Sequence, residues 1–145
     1  MNPRLAIIVA LVAIVAPAPV ASAVQGDQRE QLERNVAVWG DQHLHDYRFR
    51  LRVRCFCPSA RHAVTVTVRD GRPVGAAGFQ RRLDTVPELF DAIHRALDDP
   101  KAGAVTVRYD GRRGFPRTAS IDQIKNAIDD EIGWTVDRFR PLRRH

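Results

Sequence analysis

Two cysteines and a run of alternating arginines are the residues of this chain whose types and spacing could do chemistry. Cys55 and Cys57 are the only cysteines in the sequence, and a single residue separates them. Four arginines precede them at every second position: Arg48, Arg50, Arg52 and Arg54. A close pair of thiols can form a disulfide or bind a metal, and guanidinium groups bind carboxylates and phosphates. Both sets lie in one segment, residues 48–57, so the structure of that segment determines where these side chains point.

The arginines alternate with apolar side chains, which is the pattern of a half-buried β-strand. The apolar positions are Tyr47, Phe49, Leu51, Val53 and Cys55. Successive side chains of a strand point to opposite faces, so the spacing predicts one face in a core and one in water. Same-face neighbours lie about 6.6 Å apart, and the four guanidinium groups would form a cationic ladder.

The arginine ladder has two interpretations. In the first it is a solvated sheet face whose charge is compensated by acidic residues on a neighbouring strand. In the second it is an anion-binding surface, which Arg69 and Arg108 would join if their strands pair as expected. An anionic component of the cell envelope or an acidic protein would suit that surface. We do not expect nucleic acid as the partner of an exported protein.

The two cysteines also leave alternatives open. An oxidising environment outside the cytoplasm favours a disulfide between Cys55 and Cys57. On a regular strand their Cβ atoms would lie about 6.6 Å apart, against about 3.8 Å in a disulfide. Pairing therefore requires the strand to bend at Phe56. The alternatives are free buried thiols, a metal site, an intermolecular bond or an exchange-active pair.

An acidic cluster near the end of the chain is a weak calcium candidate. Its members are Asp122, Asp129, Asp130 and Glu131. Calcium takes six to eight oxygen ligands, and this spacing does not fit an EF-hand loop. We expect these carboxylates to cap the last strand and to neutralise nearby arginines, so the sequence predicts no metal site.

Catalytic motifs are missing from the sequence. The serines after residue 23 are Ser59 and Ser120, and neither stands in a nucleophile elbow. The sequence contains no His-Glu-x-x-His motif, phosphate-binding loop or dinucleotide-binding glycine pattern. We therefore predict a protein that is not an enzyme and that uses no cofactor.

The first 23 residues resemble a secretory signal peptide. Arg4 precedes an apolar run over residues 5–16, and the small residues Ala21 and Ala23 fit a cleavage site before Val24. The run is too short to span a bilayer, which takes about 20 residues, so no transmembrane segment is expected after cleavage. Cleavage removes one positive charge from a chain of net charge +6. The prediction is a basic protein that is secreted, periplasmic or held at the cell envelope.

The remaining patterns alternate between the two periodicities. Residues 24–46 predict an N-terminal helical segment with an apolar stripe at Leu32, Val36 and Trp39. Strand-like alternation recurs around residues 64–69, 104–110, 117–122 and 132–136, and Asp70-Gly71 predicts a hairpin whose returning strand is an edge. A capping box at residues 85–88 begins a second helix that ends near Asp98.

This order predicts an α+β fold, with an antiparallel sheet of about five to six strands and helices packed on one face. Residues 47–140 would form a single domain after the helical segment, and residues 141–145 a basic tail. The other face of such a sheet can remain in water.

The motifs together resemble a family of exported bacterial proteins that is known only as a domain of unknown function. They are Trp39, Tyr47-Arg48-Phe49, Cys55-Phe56-Cys57-Pro58, Arg69-Asp70-Gly71, residues 85–90, Tyr109-Asp110, Gly114-Phe115-Pro116, Ile121-Asp122 and Asp129-Asp130-Glu131. Many members of this family are lipoproteins, and this chain differs because Val24, not a cysteine, stands directly after the predicted cleavage site. The resemblance implies a small extracytoplasmic α+β domain and implies no activity.

The leading functional hypothesis is a non-enzymatic binding module of the cell envelope or exterior that uses the basic sheet face. A second hypothesis is a thiol–disulfide active protein that uses Cys55 and Cys57. A third is a secreted inhibitor of a protease or hydrolase, for which small size, export and sheet architecture are the only arguments.

Overall fold

A computed structural model of the chain describes residues 20–55, 62–75, 83–125 and 131–143, without the side chains of residues 20–23. These residues form two helices and six strands. The helices are α1, Val20–Gly40, and α2, Val86–Asp98. The strands are β1, Tyr47–Arg54; β2, Val64–Arg69; β3, Arg72–Pro73; β4, Val105–Tyr109; β5, Pro116–Asp122; and β6, Glu131–Pro141.

The six strands form one antiparallel sheet in the order β3-β2-β1-β6-β5-β4. The last strand of the chain therefore pairs with the first, and these two occupy the centre of the sheet. Inward side chains of the strands and buried side chains of both helices form one hydrophobic core. The α+β fold predicted from the sequence is confirmed.

Strand β1 follows the predicted alternation. Tyr47, Phe49, Leu51 and Val53 are each at most 2 % exposed, while the arginines between them are partly or fully exposed. Burial of an apolar side chain of this size contributes about 1.5–3 kcal/mol. One face of this strand is thus a major part of the core.

Helix α2 begins as the capping box predicts. The Thr85 side chain accepts a hydrogen bond from the Glu88 N–H, and the Glu88 carboxylate accepts one from the Thr85 N–H in return. The Val86 N–H donates to the phenolic oxygen of Tyr47 at 3.1 Å, which connects the start of the helix to β1. The apolar stripe of this helix is buried at Val86, Leu89, Phe90, Ile93 and Leu97.

Helix α1 extends further toward the N-terminus than predicted, since it begins at Val20. It ends at Gly40, before the end of the predicted segment at residue 46. Leu32 and Trp39 are buried, but Val36 is 38 % exposed, so its place in the predicted stripe was wrong. The buried line passes through Asn35 instead, which is half-buried and lies between the two apolar residues on the same side.

The hairpin and the edge strand also match the sequence. Asp70 and Gly71 have φ angles of 49° and 74°, which is the geometry of a type I′ turn between twisted strands. Strand β3 pairs with β2 at the end of the sheet, where Pro73 can be accommodated.

A β-bulge in β6 was not predicted. Arg48 pairs with Arg140 and Arg50 pairs with Asp137, so Arg138 and Phe139 together oppose Phe49. Arg138 has a φ of 51°, in the left-handed region. The extra residue reverses the alternation, because a one-residue shift moves every later side chain to the opposite face. Phe139 thereby joins the core side.

Phe139 then completes an aromatic cluster with α1, β1 and the β4–β5 turn. Its ring centroid lies 4.7 Å from Phe115, 5.5 Å from Tyr47 and 5.7 Å from Trp39. Trp39 also meets Tyr47 edge to face at 5.3 Å. Such pairs add about 0.5–1.5 kcal/mol each beyond the apolar area they bury.

The bulge predicts the effect of replacing Arg138 by glycine. A non-glycine residue in the left-handed region costs about 1–3 kcal/mol, and glycine costs about 0.5–1 kcal/mol in backbone entropy. Arg138→Gly should therefore raise the free energy of unfolding by about 1 kcal/mol in urea denaturation. The control is Arg140→Gly, two residues along β6, which should lower it because no such strain is relieved. Equal losses in both variants would contradict the strain argument.

Candidate anion-binding surface

The four arginines of β1 lie on the sheet face opposite the core, and we call Arg48, Arg50, Arg52 and Arg54 the arginine face. They occupy the outward positions of a strand whose inward residues are buried. Arg52 and Arg54 are exposed, and Arg48 and Arg50 are half-buried between the neighbouring strands. The pleat of one central strand therefore positions all four side chains.

A fifth arginine, which the sequence did not indicate, lies on β6 at the Arg48 end of the arginine face. Arg48 faces Thr67 of β2 on one side and Arg140 of β6 on the other. Its Nε donates to the Thr67 hydroxyl at 3.2 Å, and no carboxylate takes part in this contact. Like charges directly opposite each other in a sheet are destabilising. The available signal was the change from even apolar positions at Trp134 to an odd one at Phe139, which indicates a bulge.

Among the cross-strand neighbours of Arg50 and Arg52, one residue is acidic. Arg50 faces Thr65 of β2 and Asp137 of β6, and Arg52 faces Thr135 of β6. Asp137 is exposed and is the cross-strand partner of Arg50. Within the described residues, however, no nitrogen–oxygen contact under 4.0 Å joins an arginine-face residue to a carboxylate.

At the Arg54 end of the arginine face, a glycine leaves space that a side chain would otherwise fill. Arg54 pairs with Gly133 of β6. A Cβ atom placed on Gly133 would lie 2.8 Å from the Ala119 carbonyl oxygen of β5, 3.1 Å from Arg54 Nη2 and 3.5 Å from Arg54 Nε. The guanidinium group thus lies over the backbone of β6. Beyond it, Ser120 of β5 donates to the Glu131 carboxylate at 3.4 Å.

Arg69 and Arg108 differ in their position relative to the arginine face. Arg69 lies 3.7 Å from the Asp46 carboxylate and donates to the Arg143 carbonyl at 3.0 Å, so its charge has a partner. Arg108 is outward on β4, three strands from β1, or about 14 Å at 4.8 Å per strand. Arg69 lies on the outward side of β2, two residues from Thr67, and is therefore a diagonal neighbour of Arg48, whereas Arg108 is not adjacent to the ladder.

The cysteines are described only in part. Cys55 follows the last residue of β1 and is half-buried against the core. Cys57 and Phe56 lie outside the described residues, so the disulfide stays a prediction.

The acidic cluster is likewise only partly described. Asp129 and Asp130 lie outside the described residues, while Asp122 and Glu131 pair across β5 and β6. In the described ranges, no group of three histidine, cysteine or acidic side chains lies close enough to hold a metal ion. His43 and His45 are both exposed.

The titratable groups with perturbed pKa values lie on the core side of the sheet. Burial raises the pKa of Tyr47 to about 12, and burial likewise raises the pKa of Tyr109 to about 12. Asp84, just before the helix cap, has its pKa raised to about 6 by burial and then by the Glu88 carboxylate. Its Oδ1 is buried without a hydrogen-bond partner, and the sequence reasoning did not single it out.

Residues 31–141 match a family of unknown function, DUF6174. The chain belongs to this family. A comparison with curated proteins finds no match, and a comparison with solved structures finds none either. Over the ranges that the structure describes, neither helix combines the length and the apolar character needed to cross a membrane.

The DUF6174 match includes the whole arginine face and all six strands, together with α2 and the second half of α1. The family has no assigned function, so the membership identifies the domain and leaves its activity open. The resemblance seen in the sequence is confirmed to that extent. Export and a role for the Cys-Phe-Cys-Pro motif stay predictions.

Asp84 predicts a pH-dependent stability. Its pKa of about 6 in the folded chain lies above the unfolded value of about 3.9. The fold therefore favours the protonated form, and this contribution is complete below about pH 4 and lost as the pH rises through 6. Asp84→Asn should raise the free energy of unfolding at pH 7.5 by up to about 3 kcal/mol and change it little at pH 4.

Urea denaturation at both pH values measures this effect. The matched control is Asp91→Asn, which removes an exposed carboxylate from the same region of α2. An Asp84→Asn variant no more stable than the parent at pH 7.5 would contradict the argument.

The cysteines predict a simple thiol count. If Cys55 and Cys57 form a disulfide, the unreduced protein should have no reactive thiol in guanidinium chloride, and the reduced protein should have two per chain. Thiol titration measures both states. Two reactive thiols without reductant would exclude the disulfide.

Proposed function

We propose that this DUF6174 protein is a non-enzymatic binding module that holds an anionic partner on its arginine face. The observation that carries the proposal is the arrangement of four guanidinium groups on one side of the central strand. Among the described residues, none of them has a carboxylate within 4.0 Å.

The energetics favour a partner over a bare surface. Two unit charges 6.6 Å apart repel by about 0.6 kcal/mol even at the dielectric constant of water. The ladder contains three such neighbouring pairs, and Arg140 stands directly opposite Arg48. An anion placed above the strand would add attractive interactions with the arginines that offset these repulsions. Among the described residues, the strand register places the acid Asp137 opposite Arg50.

The shape of the surface favours an extended partner. Four guanidinium groups spaced along about 20 Å of strand suit a chain of negative charges better than one small ion. Each group can donate two parallel hydrogen bonds to a carboxylate or phosphate. An anionic envelope polymer or an acidic protein segment has this form, and the proposed location follows from the predicted signal peptide.

The two alternatives from the sequence gain no support. Cys57, on which thiol–disulfide activity would depend, lies outside the described residues. Inhibition of a protease or hydrolase has no observation in its favour on the described surface.

The test uses polyglutamate of defined length as the anionic probe. The face variant changes Arg48, Arg50, Arg52 and Arg54 to Gln. The control variant changes four exposed bases elsewhere to Gln: Arg34, Arg95, Lys101 and Lys125. Both variants lose the same formal charge, so only the position of the charge differs.

We expect the face variant to lose at least tenfold in affinity and the control less than threefold, because direct contacts exceed long-range attraction. Raising the salt concentration from 50 to 200 mM should weaken polyglutamate binding by the parent protein far more than binding by the face variant, because salt screens the charges that bind the probe. Titration calorimetry with circular dichroism as a check on folding measures both effects. If both variants lost the same affinity, binding would depend on net charge alone, and the arginine face would be excluded as the binding site.

A further inference from the structure

A depression opens where strands β5 and β6 separate. Their pairing ends at Thr118 and Thr135, while β6 continues to Pro141 and pairs only with β1 over that part. The gap has a volume of about 290 Å³ and lies between the β4–β5 turn and the bulge. It is about the size of a small-molecule site.

The lining of this depression is strongly charged. Four arginines and two aspartates contribute to it: Arg112, Arg113, Arg117, Arg138, Asp110 and Asp137. Their formal charges sum to +2. Asp110 accepts hydrogen bonds from the backbone N–H groups of Arg112 and Arg113, at 3.1 and 2.8 Å, so its carboxylate is occupied in the turn. Over the described residues, none of these six side chains forms an ion pair.

One of the guanidinium groups is held in place. Arg113 donates to the Gln42 side-chain oxygen at 3.1 Å and lies 5.6 Å from the centroid of the Phe139 ring. The Phe139 ring is stacked on Phe115, and both rings line the depression. A fixed cation over an aromatic wall loses little side-chain entropy when an anion binds.

Another of the guanidinium groups occupies a strained position. Arg138 has a φ of 51° at the bulge, where glycine would be free of strain. Its side chain is exposed and lines the depression, so burial in the core does not account for arginine here. Strained backbone of this kind is concentrated at sites that bind ligands.

We propose that this depression binds the terminal phosphomonoester group of a small molecule or lipid. A phosphomonoester carries close to two negative charges at neutral pH and has three acceptor oxygens, which matches a site of net charge +2 rich in guanidinium donors. A phosphodiester or a carboxylate carries one charge. The site shares no residue with the arginine face and does not depend on its function.

The first experiment titrates the protein with glycerol 3-phosphate and, separately, with dimethyl phosphate, followed by amide NMR. We expect saturable shifts at residues 110–117 and 136–139 with a Kd of order 1 mM, and at least fivefold weaker binding of the diester. Binding should weaken below about pH 6, where the monoester takes up its second proton. Absence of saturable shifts with both soluble and lipid-borne monoester, or equal affinity for monoester and diester, would overturn the proposal.

Variants separate binding from folding. Arg138→Gly should weaken glycerol 3-phosphate binding at least threefold while raising the melting temperature by a few degrees, so a loss of binding would not reflect a loss of structure. Arg140→Gln, on the same strand outside the depression, should leave the affinity unchanged. Unchanged binding in Arg138→Gly, or equal losses in both variants, would exclude this site.

Vesicles distinguish the source of the phosphate group. The protein is sedimented with phosphatidylcholine vesicles that contain either phosphatidic acid, a monoester, or phosphatidylglycerol, a diester. Preference for phosphatidic acid supports a lipid headgroup, and binding of glycerol 3-phosphate alone supports a soluble ligand. The four-residue face variant should bind the monoester like the parent, and loss of that binding would place the ligand on the arginine face instead.

Discussion

The antiparallel pairing of β1 with β6 is the constraint on which the rest of the structure depends. It places the first strand and the last strand of the chain side by side in the middle of the sheet. The inner side of β1 supplies Tyr47, Phe49, Leu51 and Val53 to the core, and Tyr47 also accepts the hydrogen bond from the start of α2. The outer side supplies the arginine face. A single pleated strand therefore fixes both the packing and the charged surface.

The bulge in β6 adjusts this pairing at one end. It moves Phe139 to the core side, where the ring joins Trp39, Tyr47 and Phe115, and it keeps Arg140 on the outer side opposite Arg48. The conformational cost falls on Arg138, whose backbone takes a left-handed conformation. Aromatic packing and an unfavourable charge contact therefore have a common origin in one extra residue.

Two surfaces of this domain are rich in arginine. The arginine face lies along β1, and the charged depression lies where β5 leaves β6. In the part of the chain that the structure describes, the three ion pairs are Arg29–Asp98, Arg34–Glu30 and Arg69–Asp46. The arginines of both surfaces are therefore left without a carboxylate partner in those regions, which is why both carry proposals of anion binding. DUF6174 membership is compatible with either role and selects neither.

The helices, strands and turns of this protein could be predicted from local sequence patterns. Alternation over Tyr47–Arg54, the capping box at Thr85 and the Asp70-Gly71 turn are local signals, because period, cap and turn chemistry act within a few residues. The α+β class and the common direction of the four arginines followed from them. The tertiary structure alone decided that β6 lies beside β1, that Arg140 faces Arg48, and that Arg108 lies three strands away. It also decided the burial of Asp84 and the gap between β5 and β6. These features depend on contacts between residues far apart in the chain. Strand order and register over such distances are not encoded in any local sequence pattern, so they could not be predicted from the sequence.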